Sequence, residues 1–372
     1  MNIPRRRLLA ACSLGLVGWT LYPSMALGSA QHRAFAQPTP KRTLQWPQDH
    51  GPHPDFRTEW WYFTGWFESP TLPGPFGVQI TFFRSAPDTP QHTNSRFAPT
   101  QLLFAHAALA TPKEGQLIHA DIIRRAGSGG AQLQANPEEV LSIALPGWAL
   151  RTKDGQLWHC SIEHNNLSMR LSMNTTQRLW MQGDEGYSRK GPLPEQSSHY
   201  ATLPHMQAQG QVRIKGQNHQ VKGTFWMDHE WSSTVLAPEA QGWDWVGLHG
   251  NKGESMMAFR IRHKDSTRPP IWTHAALRSA EGQVSTLAPI QFENQGFWTS
   301  PRTGVQYPVR QTLKVGTRQW ALEPLMNDQE LDARSSTGTL YWEGAVRVMD
   351  EHSQPWGRGY LEMTGYDRPM KL

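Results

Sequence analysis

Hydrophobic and polar residues alternate with a period of two along several short segments of the chain. Three such segments are residues 77–84, 167–173 and 211–215. In the first, Val78, Ile80 and Phe82 share one face and Gln79 lies on the other. This period is that of a β-strand with one buried face. The polar stretch 216–220 (GQNHQ) then predicts a turn before another strand.

The composition supports a fold made of short strands and turns. The 372 residues include 32 Gly and 28 Pro, spread along the sequence, which argues against long helices. Only 18% of residues are charged, and 17 Trp are present, so the chain is unlike a disordered protein. Its length suits two domains or one large one.

Three segments recur in the same order in the two halves, which indicates a diverged duplication. The matched pairs are 59–84 with 243–262, 104–111 with 272–279, and 221–228 with 357–364. The second pair contains an identical His-Ala-Ala-Leu, beginning at His106 and at His274. Each half has the length at which antiparallel strands close into a ligand-holding barrel. We therefore predict an all-β fold of two tandem barrels that meet near residue 235.

Residues 1–36 have the pattern of an export signal. Arg5, Arg6 and Arg7 precede an apolar stretch from Leu8 to about Leu27, and small residues that suit cleavage follow. The arginines resemble a twin-arginine signal. A membrane anchor and a lipoprotein on Cys12 are the alternatives. We expect the domains to be 1–36 (export signal), 37–234 and 235–372, and the mature protein to lie in the periplasm.

The charge of the mature chain excludes one class of partner. The leader carries four of the 36 basic residues and no acidic residue, which leaves 32 basic against 31 acidic groups. A nucleic-acid-binding protein would need a sustained basic surface. The leader also carries Cys12, so Cys160 alone remains and no internal disulfide is expected.

The common catalytic motifs are missing from the sequence. It has no G-x-S-x-G elbow, no Walker loop, no strand-associated G-x-G-x-x-G and no H-E-x-x-H. His50 and His53 lie in a Pro/Gly-rich loop, which favours a solvated loop over a metal site. No metal and no cofactor are expected.

Acidic residues placed among tryptophans are the most distinctive chemistry. One cluster spans residues 55–63, and the other spans 226–233 and continues at 242–245. A carboxyl group between aromatic rings is desolvated, so its pKa rises and it can donate a proton near neutral pH. Indole faces stabilise a developing cation. The structural alternative is a buried acid paired with an arginine, such as Glu59 with Arg57 or Arg84.

At these motifs the sequence resembles a known family. The runs HPDFRTEWWYFTG (53–65), GDEGYSRKGP (183–192), WMDHEWSS (226–233) and GWDW (242–245) are similar to those of the AttH and carotenoid 1,2-hydratase (hydroxyneurosporene synthase) group. The resemblance covers residues 46–366 and implies two lipocalin-like domains. It also implies water addition to an isolated C=C bond without a cofactor, with an Asp as the proton donor.

Two hypotheses follow. In the first, the protein is a hydratase acting on a hydrophobic isoprenoid- or carotenoid-like substrate. Asp228 or Asp244 protonates the alkene, and His229 positions or deprotonates water. The rings of Trp231, Trp243 and Trp245 surround the cation that forms. The candidate substrate-binding residues are Glu59, Trp60, Trp61, Tyr62, Trp243 and Trp245. In the second hypothesis, the protein is a periplasmic lipid carrier without catalysis. In either case the partner is an apolar small molecule, and the resemblance implies association with a membrane surface or an ABC transporter.

Overall fold

The computed structural model describes residues 34–87, 99–136 and 138–370. One short 3-10 helix, Gln48–His50, precedes the first strand. The strands are β1 (Thr58–Glu68), β2 (Phe76–Ser85), β3 (Leu102–Ala110), β4 (Leu117–Arg125), β5 (Gln132–Gln134), β6 (Leu141–Leu145), β7 (Trp148–Thr152), β8 (Leu157–Glu163), β9 (Leu167–Thr175), β10 (Trp180–Met181), β11 (Tyr187–Arg189), β12 (Ser197–Ile214), β13 (Gln217–Thr234), β14 (Ala240–Gly250), β15 (Ser255–His263), β16 (Trp272–Arg278), β17 (Val284–Thr286), β18 (Gln291–Thr299), β19 (Gln306–Val315), β20 (Arg318–Pro324), β21 (Glu330–Ala333), β22 (Thr339–Met349) and β23 (Pro355–Thr364).

The strands form two curled antiparallel sheets, which confirms the predicted all-β, tandem lipocalin-like fold. The first sheet has the order β4-β3-β2-β1-β13-β12-β9-β8-β7-β6-β5, with β10 and β11 paired to β12. The second has the order β17-β16-β15-β14-β23-β22-β20-β19-β18, with β21 paired to β22. The first six strands of each path correspond, as expected after a duplication.

Cross-strand partners show the same correspondence residue by residue. The histidine of each His-Ala-Ala-Leu segment begins a row of residues that are cross-strand partners on successive neighbouring strands. The rows are His106–Thr81–Tyr62–Asp228 and His274–Phe259–Trp245–Glu362. The duplication therefore places an acidic residue at the equivalent position of both sheets.

The turn between β12 and β13 is shorter than predicted. Ile214 pairs with Gln217, so that only Lys215 and Gly216 form the loop and the polar residues from Gln217 onward belong to β13. Lys215 and Gly216 have φ angles of 47° and 82°. A two-residue loop with positive φ at both positions matches the right-handed twist of the flanking strands.

The alternation of β1 and β13 divides their side chains between two environments. Trp61 and Phe63 pack into the core of the first sheet. Tyr62 and Trp66 instead join a cluster that includes Trp245 of the second sheet. The two sheets therefore pack against each other through this second face, and the site described below lies between them.

The predicted export signal lies almost entirely outside the described residues. Of it, only 34–36 are described, and the backbone N–H of Ala36 donates to the carbonyl of Asp55 at 2.9 Å. Within the described ranges, no helix has the length and apolar character needed to cross a membrane. Cys160 is buried on β8, and burial raises the pKa of its thiol to about 12.

Candidate functional site between the two sheets

A cavity of about 240 Å³ lies between the two sheets. The first sheet contributes side chains of β1, β2, β3, β12 and β13, and the second contributes side chains of β14, β15, β22 and β23. Of the residues predicted from sequence, those that line it are Asp228, Glu59, Trp60, Tyr62, Trp243 and Trp245.

Asp228 is one of the acidic residues that line this cavity, and it is almost fully buried. Oδ1 accepts hydrogen bonds from Thr202 Oγ1 at 2.6 Å and Trp226 Nε1 at 2.8 Å, and Oδ2 accepts one from Tyr200 Oη at 2.7 Å. Burial raises its pKa from 3.8 to about 7, and these three donors hold it from rising further. Asp228 is therefore balanced between its acid and base forms near neutral pH.

The contact of Tyr200 with Asp228 is extended by a tryptophan from the second sheet. Trp245 Nε1 donates to Tyr200 Oη at 3.1 Å. Burial raises the pKa of Tyr200 well above 10, so its hydroxyl keeps its proton and remains a donor. The acid is thus oriented by residues of both sheets.

Glu230 and Lys190 form a buried ion pair on the same face as Asp228. Lys190 Nζ lies 2.9 Å from Glu230 Oε1 and 4.2 Å from the centre of the Phe259 ring. Ser198 also donates to Glu230. Lys190 belongs to the GDEGYSRKGP motif, so this ion pair explains how a distant loop motif contributes to the cavity.

A second pair of carboxyl groups lies on the other sheet. Glu343 of β22 and Glu362 of β23 are cross-strand partners, and both line the cavity. Trp243 Nε1 donates to Glu362 Oε1 at 3.0 Å. Burial, followed by repulsion from Glu362, raises the pKa of Glu343, and burial raises that of Glu362 to about 8. The pair therefore retains a proton at neutral pH.

The sequence predicted none of Tyr200, Lys190, Glu343 or Glu362 as site residues. A different alignment of the internal repeat would have identified Glu362 as a site residue. Shifting the third repeat match by two residues aligns GTFWMD (223–228) with GRGYLE (357–362), and thus Asp228 with Glu362. The strand pairing described above gives this alignment.

His229 and Trp231 do not join Asp228 in the cavity. They face the opposite side of β13, as strand alternation requires. His229 Nε2 lies 2.9 Å from Glu59 Oε1, and its ring stacks on Trp61 at 4.8 Å. Trp231 stacks on His53 with ring centres 3.8 Å apart. The predicted grouping of Asp228, His229 and Trp231 in one cavity is therefore not what the structure shows.

Glu59 is the centre of a buried charge network beneath this face. Its Oε1 lies 2.7 Å from His53 Nδ1, and its Oε2 accepts from Arg84 Nε at 2.9 Å. His53 Nε2 lies 3.0 Å from Asp49 Oδ1. Although burial alone would raise the pKa of Glu59, His53 and His229 hold it far below its ordinary value. The structure thus places Glu59 in the arginine-paired arrangement that the sequence left as its structural alternative.

Three atoms of this network could together hold a metal ion. His53 Nδ1, Glu59 Oε1 and His229 Nε2 lie within 4.8 Å of one another, all buried. Glu59 accepts from both imidazoles, and its second oxygen is bound to Arg84. A metal ion would have to displace the hydrogens on both rings beside a guanidinium cation, so the residues fit a charge network better than a metal centre.

Asp244 lies on the opposite face of β14 from Trp243 and Trp245, away from the cavity. Its oxygens lie 2.6 Å from Arg260 and 3.2 Å from Arg262, and the Tyr366 hydroxyl donates at 3.0 Å. Arg260 is its neighbour across β14 and β15. Its oxygens are therefore occupied by two arginines and a tyrosine, and Asp244 does not line the cavity, so it is not placed to donate a proton to a substrate there.

Comparison with known proteins agrees with this architecture. The model of the AttH-like family matches residues 37–366. A Nitrosomonas europaea protein assigned to AttH has a structure with a TM-score of 0.82 and 42% identity, covering 89% of this chain and all of that one. No curated protein matches the sequence.

Two more distant structures share the fold. Kievitone hydratase from Nectria haematococca has a TM-score of 0.67 at 15% identity, covering 90% of this chain and 98% of its own. CghA in complex with Sch210972 has a TM-score of 0.55 at 13% identity, covering 82% and 88%. The family model spans nearly the whole described chain and agrees with the sequence motifs. The chain belongs to the AttH-like family.

Proposed function

We propose that this protein is a hydratase that adds water to an isolated C=C bond of a hydrophobic, isoprenoid-like substrate. The observation that carries the proposal is Asp228: a buried acid on the cavity wall, held by three neutral donors, with its pKa raised to about 7. The name of kievitone hydratase, which shares the fold, supports the same reaction class.

The first step is protonation of the alkene. Asp228 gives its proton to one alkene carbon, and the π electrons form the new C–H bond. The other carbon becomes a tertiary cation, which the ring faces of Trp60, Trp243 and Trp245 stabilise.

The second step restores the acid. A water oxygen bonds to the cationic carbon, and one proton of that water returns to the carboxylate that Asp228 has become. The sum is addition of water across the double bond, with no change in the enzyme. Acid, base and water suffice for this chemistry, so the proposal includes no cofactor.

The cavity volume limits what can be enclosed. A volume of 240 Å³ equals about eight water molecules at ~30 Å³ each. It therefore accommodates the reacting end of a molecule rather than a whole long polyene such as a carotenoid.

The cellular location and the partners of the protein are inferred from its sequence. We propose export to the periplasm, from the signal-like residues 1–36, and contact with a membrane surface or an ABC transporter that supplies the apolar substrate. The N-terminal sequence of the protein purified from its own cell envelope tests the first point.

The decisive experiment begins with extraction of any apolar ligand from the envelope-purified protein and its identification by mass spectrometry. The extract is incubated in H₂¹⁸O with the wild type, Asp228→Asn and the matched control Asp244→Asn. A hydratase yields an ¹⁸O-labelled tertiary alcohol with the wild type and the control, but not with Asp228→Asn. A phospholipid or fatty acid that all three proteins leave unchanged would instead establish the carrier function.

A further inference from the structure

Two buried polar atoms of the cavity wall have no hydrogen-bond partner within the part of the chain that the structure describes. Glu343 Oε2 on β22 and Tyr62 Oη on β1 form no hydrogen bond with any described residue. Their residues are 3% and 5% exposed, and both line the cavity. A buried polar group without a partner destabilises the fold, because it has lost its hydrogen bonds to water and gained none in the protein. These atoms therefore favour a ligand that brings a hydrogen-bonding group to this part of the cavity.

The surrounding groups define that ligand group. Glu362 lies beside Glu343, and no basic side chain among residues 34–87, 99–136 and 138–370 forms an ion pair with either carboxyl. Burial raises the pKa of Tyr62, and so do the charges of Glu343 and Glu362. The site thus presents a protonated phenol and a carboxyl pair that retains one proton. A neutral hydroxyl group can donate to one of them and accept from the other.

The position of Tyr62, Glu343 and Glu362 relative to Asp228 suggests what a hydroxyl group bound by them would do. Tyr62 and Asp228 are directly paired across β1 and β13. Trp245, whose ring lies 5.4 Å from that of Tyr62, is paired with Glu362 across β14 and β23. The residues that carry the unpartnered atoms therefore line the same cavity as the proposed proton donor, Tyr62 from the first sheet and Glu343 from the second.

We propose that Glu343, Glu362 and Tyr62 form a hydroxyl-binding subsite, which holds the attacking water during hydration and the tertiary hydroxyl group of the product afterwards. The catalytic part rests on the proposed function. Hydroxyl binding does not, because it follows from the unpartnered atoms. Water held here reaches the cation formed next to Asp228, and the Asp228 carboxylate takes the proton that this water loses.

A binding cycle with two probes tests the subsite. The probes are 2-methylheptan-2-ol, a tertiary alcohol, and 2-methylhept-2-ene, the corresponding alkene. Their Kd values are measured for the wild type, Tyr62→Phe, Glu343→Met and Tyr307→Phe, whose buried hydroxyl lies outside the cavity. The ratio of the two Kd values removes the general difference in hydrophobicity between the probes.

We expect the preference for the alcohol to fall roughly tenfold or more in Tyr62→Phe and Glu343→Met and to stay unchanged in Tyr307→Phe. Equal preference in all four proteins, or no binding of the alcohol, would overturn the subsite. If the probes show the subsite while the wild type incorporates no ¹⁸O into its extracted ligand, the proposed hydratase function fails and the subsite stands.

A second measurement tests the role of the subsite in catalysis. In D₂O, a cation that is not captured by water loses a proton and returns to an alkene carrying deuterium. Tyr62→Phe should therefore produce less alcohol and more deuterated alkene, whereas Asp228→Asn should produce neither. An unchanged alcohol-to-alkene ratio in Tyr62→Phe would contradict water positioning.

Discussion

The hydroxyl of Tyr200 donates to Oδ2 of Asp228 across the pair of strands β12 and β13, with the two oxygens 2.7 Å apart. This contact favours the ionised form of Asp228, in opposition to its burial. It also links the acid to Trp245, which donates to the same hydroxyl from the second sheet. The acidity of Asp228 thus depends on how the two sheets pack.

Replacing Tyr200 by Phe should raise the pKa of Asp228 further, because the carboxylate loses one of its three donors. The pH at which turnover declines should move upward, with a several-fold lower rate below that pH because the acid is less well oriented. The pH–rate profile of Tyr200→Phe measures this, with Tyr307→Phe as the control. A profile identical to that of the wild type would show that Tyr200 does not tune the acid.

Turnover by the wild type should decline as the pH rises through about 7, since only protonated Asp228 can donate. Above that value the rate should fall about tenfold per pH unit. Measuring kcat/KM from pH 5 to pH 9 checks this expectation. A rate that stays constant across this range would rule out a proton donor with the environment of Asp228.

The free energy of unfolding should depend on pH because of the raised pKa of Asp228. Folded Asp228 binds its proton up to about pH 7, whereas the unfolded residue releases it near 3.8. The folded state therefore binds more protons between these values, and its contribution to stability is lost as pH rises through about 7. Asp228→Asn has no such proton, so its Tm relative to the wild type should be higher at pH 8 than at pH 5. A Tm difference independent of pH would contradict the raised pKa.

Asp244→Asn should destabilise the fold without removing the chemistry. The substitution leaves Arg260 and Arg262, which are mostly buried, without their carboxylate, a loss on the order of 3 kcal/mol in the free energy of unfolding. Urea unfolding measures that loss. Product formed per folded molecule should match the wild type, and a selective loss of turnover in a fully stable variant would instead identify Asp244 as the acid.

Local pattern was sufficient to predict the strands and the duplication. Strand alternation is a property of the covalent chain, so Val78, Ile80 and Phe82 had to share a face in any sheet. The same alternation puts Asp228 on the opposite face of β13 from His229 and Trp231, and Trp243 on the same face of β14 as Trp245. These relationships involve residues a few positions apart, where geometry leaves few alternatives.

Only the tertiary structure decided what each face meets. Glu343 and Glu362 lie far from Asp228 in sequence, and Lys190 comes from a loop motif, yet sheet packing places all of them around one cavity. Conversely, Asp244 lies between two tryptophans in the sequence, which suggested a desolvated proton donor. In the structure, Arg260 and Arg262 form ion pairs with it. The sequence by itself determined the strands, their repetition and the face of each side chain. The pKa of a carboxyl group depends on burial and on nearby charges, and these are set by residues that only the packing of two sheets brings together.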